Sequence, residues 1–189
     1  MKNKFDILIC GVGGQGIILC SNIIGIAGVI EGLKVKGSEI HGMSQRGGSV
    51  EAFVRLNCDF GPKIPIGQAD LIIGFEPMEA CRVLHYLNKN GIMVVNSFPI
   101  LIQGYDYEEV IKFLKSQDKQ IYIENFTSIA EKIGSVKVLN TLMLGYASKF
   151  IPLKKESFLK VMENYLPKNI LKVNLDAFNF FSNMRDKEI

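Results

Sequence analysis

A chain of 189 residues, 48% apolar and 22% charged, has material for one full hydrophobic core and too little for two. Its net charge of +3 is spread along the length without the clustering a nucleic-acid surface needs, so no nucleic-acid partner is expected. The four cysteines, Cys10, Cys20, Cys58 and Cys81, show no CxxC spacing, which argues against an iron–sulfur cluster or structural zinc held by this chain alone. The apolar share is high for a monomer this small and hints at a surface covered by a partner.

The chain is organised around Ile7 to Glu31. An apolar run ends in the turn Gly11-Val12-Gly13-Gly14-Gln15-Gly16, and a second apolar run follows at helical spacing. This is the pattern of a buried strand, a tight turn and a helix whose N-terminus points back at the turn. Gly11 lets the strand reverse, Gly13 lets a ligand approach the backbone, and Gly16 lets helix and strand pack closely. The unpaired N–H groups of the first helical turn, at the positive end of the helix dipole, would stabilise a phosphate or carboxylate. Ile7 to Ile30 carries no charge and is long enough to span a membrane, with Lys2 and Lys4 imitating the basic flank of a signal peptide. Six glycines and the polar Gln15, Ser21 and Asn22 interrupt that run, so a soluble, cytoplasmic protein is the expectation.

Beyond the first helix, with Gly32 as its C-terminal glycine, Lys34 to Ile40 reads as a second strand. The densest polar run, His41-Gly42-Met43-Ser44-Gln45-Arg46-Gly47-Gly48, reads as a loop. Ser49 to Leu56 alternates, with Glu51, Phe53 and Arg55 on the more polar face, as in a strand near a sheet edge. Cys58 to Gly67 holds Pro62 and Pro65 and reads as loop. Asp70 to Phe75 has the form of a strand buried on both faces. Pro77 then opens a helix over Met78 to Leu87. Gly91 to Asn96 is a further buried strand, and Asp106 caps a helix reaching Ser116. Gln120 to Glu124 is a short strand, and Thr127 or Ser128 caps a helix ending at Ile133. Asn140 to Phe150, Lys155 to Leu166 and Asn169 to Met184 are helical; in the last, Ile170, Val173, Ala177, Phe181 and Met184 form one stripe. Strands alternating with helices predict an α/β, Rossmann-like doubly wound fold. The sheet is mostly parallel, with helices on both faces and a helical C-terminal segment. Its ligand crevice lies beyond the strand C-termini, where winding reverses. The glycine turn, Glu76 and Asn96 would share a rim there with the His41–Gly48 loop.

Several residues carry two readings. Glu39 ends the second strand, where a dinucleotide-binding domain keeps the acid for the ribose 2′-OH, or it is a solvated strand-end glutamate. His41, Ser44, Gln45 and Arg46 make a donor-rich loop; Arg46 could fork onto a carboxylate or phosphate, or the loop could dock on another subunit, which is the favoured reading. His41 titrates in the range of a general base, yet no residue is placed by sequence to form a dyad with it. Glu76 and Glu79 complement the dipole at a helix start, and His85 is structural. Asn140 could cap its helix, and Asn174 sits unfavourably mid-helix. No metal-ligand pair and no nucleophile motif is evident, and the catalytic residues are unknown from the residues alone.

Two stretches, GVGGQG (Gly11 to Gly16) and SEIHGMSQRGGSV (Ser38 to Val50), resemble the gamma-type domain of 2-oxoacid:ferredoxin oxidoreductases, most nearly the beta subunits of the indolepyruvate ferredoxin oxidoreductases. Further matches run through Ile64 to Ala80, Val138 to Gly145 and Asn174 to Phe178, so one such domain would cover residues 1–189. The resemblance implies a subunit that completes a heteromeric enzyme without holding its redox cofactors. Thiamine diphosphate and iron–sulfur clusters would sit on a larger partner subunit, with coenzyme A as co-substrate and ferredoxin reached through the complex. The partner would run the oxidative decarboxylation of an aryl-2-oxoacid to an acyl-CoA. This chain would shield the intermediate from water and shape the pocket. Gly11, Gly13, Gly14, Gln15, Gly16, Glu39, His41, Ser44, Gln45, Arg46, Gly47 and Gly48 are then the expected ligand- or partner-contacting residues. The alternatives are a self-sufficient NAD(P)-binding oxidoreductase using Glu39, and a nucleotide-sensing module.

Overall fold

The computed structural model describes residues 4–42, 47–100 and 106–183. Strand β1 (Phe5–Val12) lies inside a six-stranded sheet of order β2-β3-β1-β4-β5-β6, with β2 Val35–His41, β3 Ser49–Leu56, β4 Ala69–Gly74, β5 Leu87–Asn96 and β6 Gln120–Glu124. β1, β4, β5 and β6 pair in parallel, whereas β3 runs antiparallel to both of its neighbours, β1 and β2. Five strands therefore share a direction and one opposes them. The sheet is mostly parallel, as the strand–helix alternation predicts.

The period-two alternation of β1 separates two cores. Ile7 and Ile9 face the larger one, built with α1 (Ile17–Ile30), α4 (Phe126–Ile133), α5 (Leu139–Ala147), α6 (Lys155–Tyr165) and α7 (Lys168–Asn179). Leu8 and Cys10 face the smaller one, with α2 (Pro77–Val83) and α3 (Tyr107–Lys115). All four side chains are fully buried, and each of the three larger ones contributes roughly 1.5–3 kcal/mol. No helix among the described residues is long and apolar enough to cross a membrane.

Helix α1 stops where expected: Gly32 takes φ +74°, its N–H reaches the Val29 carbonyl at 2.9 Å, and Leu33 N–H reaches that of Gly28 at 3.0 Å. Asp106 caps α3 by accepting from the N–H groups of Glu108 and Glu109. Asn174 proves to be an inter-helix connector: its Oδ1 accepts from Thr141 Oγ1 at 2.9 Å and its Nδ2 donates to the Ile170 carbonyl. That pair joins α7 to α5, where Gly145 lets the Phe178 backbone approach.

Several boundaries differ from the periodicity. β3 lies one strand in from the edge and is covered on both faces, so Phe53 and Arg55 are buried. Arg55 is accommodated by a two-pronged ion pair to the buried Asp6, at 2.9 and 3.0 Å, while its third nitrogen donates to the carbonyls of Gly61 and Lys63. α2 gives way to a 3-10 turn over Leu84–Tyr86, and Leu87 already pairs with Ala69 as the start of β5. α4 is capped by Asn125, which accepts from Ser128 N–H, because Thr127 is engaged elsewhere. α5 ends at Ala147 in a 3-10 turn. In α7 Ile170 is exposed and the buried face is Asn174, Ala177 and Phe178; Met184 lies outside the described residues.

Candidate functional site

The C-terminal ends of β1, β4 and β5 are fastened together by side-chain amides. Gln15, inside the glycine turn, accepts from Val12 N–H at 2.7 Å and donates to the Phe75 carbonyl at 3.1 Å. Asn96, the last residue of β5, donates to that same carbonyl at 3.2 Å and to Thr127 Oγ1 at 3.0 Å, and its Oδ1 accepts from Thr127 N–H. A β-carbon on Gly11 would press against Gln15 Oε1 and Phe75 Cβ, so the turn closes only with glycine there. Gly14 and Gly16 take φ of +101° and +83°, the left-handed region that favours glycine. Gly13 has its N–H bonded to the Gly48 carbonyl at 2.9 Å, which ties the turn to the end of the polar loop.

Two cavities border this turn. One, of about 690 Å³, is lined by Gly13, Gly14, Gly16, Ile18, His41 and Gly42. The other, of about 370 Å³, is lined by Gly14, Gln15, Gly16, Asn96, Thr127 and Asn140 together with apolar residues at its mouth. The turn and both described ends of the polar loop thus meet, and Asn96 shares the turn's rim. Ser44, Gln45 and Arg46 lie outside the described residues. His41 is the last residue of β2 and stands 3.4 Å from Glu39, both side chains partly exposed.

Glu39 does not stand beside the turn. A dinucleotide fold pairs its second strand with its first; here β3 is inserted between them, so Glu39 pairs with Ala52, and Ala52 with Ile9. Glu39 instead lines a groove with Ser21, Asn22 and Ile26 of α1. With Gly13 N–H occupied and Gln15 folded into the turn, the arrangement departs from a dinucleotide site at three points.

Glu76 sits just beyond β4 as the N-cap of α2, accepting from Glu79 N–H at 2.9 Å, with Pro77 in the first turn. Glu79 in turn accepts from Ser49 Oγ at 2.5 Å. Both acids are buried, and Glu76 Oε1 has no partner among the described residues. Burial pushes the Glu76 carboxyl up, with N–H groups opposing and the Glu79 charge adding to the rise. The Cys10 thiol, nearby and fully buried, is pushed well up by desolvation and then by Glu79, Glu51 and Glu76. Cys20 is pushed up to about 12 by burial. These are inert thiols rather than nucleophiles or ligands. Among the described residues no group of three or more His, Cys, Asp or Glu could hold a metal ion.

The sequence alone set the glycine turn and Asn96 on one rim, but it did not single out Lys137 and read Asn140 only as a helix cap; both line the second cavity. Asn140 is not the cap of α5: Val138 holds that position, and Asn140 Oδ1 accepts from Thr141 N–H. The available signal was a second polar side chain just past a 3-10 turn, in a stretch otherwise apolar.

A doubly wound sheet with a glycine turn at its winding reversal, closed by side-chain amides and abutting a polar loop, defines an α/β domain of the Rossmann-like class. Residues 6–180 match the family model described as pyruvate ferredoxin/flavodoxin oxidoreductase, and the chain belongs to that family. It is 39% identical to the indolepyruvate oxidoreductase subunit IorB of Methanothermobacter thermautotrophicus, over 93% of this chain and 94% of that one. It is 32% identical to the common gamma subunit of the pyruvate/ketoisovalerate oxidoreductases of Pyrococcus furiosus, over 77% of each chain. Among solved structures, the gamma subunit of a keto/oxoacid ferredoxin oxidoreductase from Geobacter sulfurreducens superposes with a TM-score of 0.74 at 23% identity, covering 93% of this chain and 94% of that one. A 2-oxoglutarate:ferredoxin oxidoreductase chain from Magnetococcus marinus also gives 0.74, at 20% identity; the match covers 96% of this chain and 31% of that longer one. Those two likenesses concern the fold.

Proposed function

We propose that this chain, as a single domain over residues 1–189, is the subunit without redox cofactors in a cytoplasmic indolepyruvate- or arylpyruvate-type 2-oxoacid:ferredoxin oxidoreductase. The observation that carries the reading is the end-to-end likeness, at 39% identity, to an indolepyruvate oxidoreductase subunit. The overall change is R–CO–COO⁻ plus coenzyme A thiol going to the acyl-CoA thioester, carbon dioxide and one proton, with two ferredoxins each taking one electron. Thiamine diphosphate on the larger subunit would supply the carbon nucleophile and electron sink, and clusters there the one-electron path. This chain's part is positional. The Gly11–Gly16 turn, Glu39 and the polar run from His41 to Gly48, with Ser44, Gln45, Arg46 and Gly47, are the stretches assigned to partner or ligand contact, where they would exclude water from the reacting centre. Apolar Ile26, Val29 and Ile30 exposed on α1 suit a subunit partly covered in an assembly.

The test is reconstitution. The chain co-expressed with a thiamine- and cluster-bearing large subunit should co-purify with it and give arylpyruvate- and coenzyme-A-dependent reduction of a viologen dye, while the chain alone is colourless and inactive. Failure to form such a complex, or oxidation of a substrate by the isolated chain with a soluble pyridine nucleotide, would overturn the reading.

A further inference from the structure

The second cavity bordering the glycine turn holds an amide donor with nothing to bind. Asn140 is 7% exposed, and the bond from Thr141 N–H to its Oδ1 fixes which end of the amide is the nitrogen. Its Nδ2 has no acceptor among the described residues and lies directly over the α-carbon of Gly16. Gly16, the N-cap of the 14-residue α1, lines the same space. Lys137 stands at the rim, and no acidic side chain is among the described residues that line the space. An unpaired amide donor that lines a cavity offers a bound acceptor a hydrogen bond. The mouth is of opposite character. Phe98, Ile100 and Val136 are 49%, 39% and 46% exposed, and all three line this one cavity of about 370 Å³. That volume falls in the range of small-molecule sites.

We propose that this cavity is a binding site of the chain's own for a small aromatic carboxylate. One carboxylate oxygen accepts from Asn140 Nδ2, the other faces the start of α1 at Gly16, and Lys137 supplies the countercharge. The flat apolar body lies against Phe98, Ile100 and Val136. A carboxylate suits the floor better than a phosphate dianion, because one open side-chain amide and one solvated lysine balance a single negative charge. The apolar mouth calls for a body that a bare anion lacks. The site does not depend on the polar loop or on assembly with a larger subunit.

Isothermal titration of the full chain with 2-naphthoate, its neutral amide 2-naphthamide and inorganic phosphate tests this without any activity assay. Naphthoate should bind below about 1 mM, with the amide and phosphate at least about tenfold weaker. Asn140→Asp keeps the acceptor for Thr141 N–H but puts a negative charge where the donor was, and should weaken naphthoate by at least about tenfold. Lys137→Gln, at an exposed position that the fold does not need, should weaken it about threefold or more. Equal binding of acid and amide, tighter binding of phosphate, or unchanged affinity in Lys137→Gln would overturn the proposal. Should Asn140→Asp fail to fold, the Lys137→Gln and amide comparisons decide. A complex that assembles and turns over while naphthoate fails to bind would overturn this site alone.

Discussion

The Gln15 side chain spans from the Val12 N–H, 2.7 Å away, to the Phe75 carbonyl, 3.1 Å away, and so binds the end of β1 to the residue that follows β4. Both ends are peptide groups of buried residues, with little access to water as an alternative partner. Gln15→Leu, of similar length but without the amide, should destabilise the chain by about 1–3 kcal/mol in a denaturant titration. If the chemical midpoint does not move, the turn holds its shape without the strap.

The Arg55–Asp6 pair lies under the opposite end of the sheet and also anchors the segment that carries Gly61 and Lys63. The Asp6 carboxylate raises the Arg55 guanidinium further above its ordinary value. Arg55→Met removes the cation and leaves a buried carboxylate with the partly exposed Lys4, at 2.8 Å, as its remaining ion-pair partner among the described residues. A loss of about 3–5 kcal/mol is expected, and the double variant with Asp6→Leu should recover much of it. A double variant no better than the single one would show that the carbonyl contacts, rather than the charge, matter most.

At the α5–α7 contact a β-carbon on Gly145 would run into the Phe178 backbone, which cannot move without shifting the helix. At Gly14 the same methyl group would meet open space, and only the φ of +101° opposes it. Gly145→Ala should therefore cost about 3 kcal/mol or more through overpacking. Gly14→Ala should cost about 1–2 kcal/mol through backbone strain. Thermal unfolding of the two variants side by side reads the difference, and a reversed order would contradict the packing.

Glu76 makes stability depend on pH with a definite sign. Burial raises its carboxyl above the ordinary 4.5, so the folded chain keeps that proton to higher pH than the unfolded chain does. Between the two values the folded state binds more protons, and stability contributed by this group falls as pH rises. Glu76→Gln keeps an acceptor for Glu79 N–H but does not titrate. The stability of the wild type minus that of Glu76→Gln should decline as pH rises from 4.5. A flat difference would mean that the N–H groups of Met78 and Glu79 offset burial fully.

The chain's own residues determined the local elements and their order. The Ile7–Glu31 run, with six glycines and three polar residues against a membrane span, pointed to strand, turn and helix. Asp106 opened its helix through its side chain and Gly32 closed its own through its φ freedom, and the uninterrupted apolar strands implied a sheet covered on both faces. Tertiary structure alone decided which strand lies beside which. The antiparallel insertion of β3 between β1 and β2 moved Glu39 away from the turn, and nothing in the period-two pattern of Ser49–Leu56 reveals its neighbours. It decided too that Arg55 would be buried, because that is favourable only with Asp6 directly opposite it in the register, 49 residues away in sequence. The second cavity had the same origin: Gly16 and Asn140 are far apart in the chain, and an amide becomes an open donor only when folding brings the two together with no acceptor between them. Local propensity acts over a few residues, whereas partnership between polar groups is settled by contacts that only the packed chain makes.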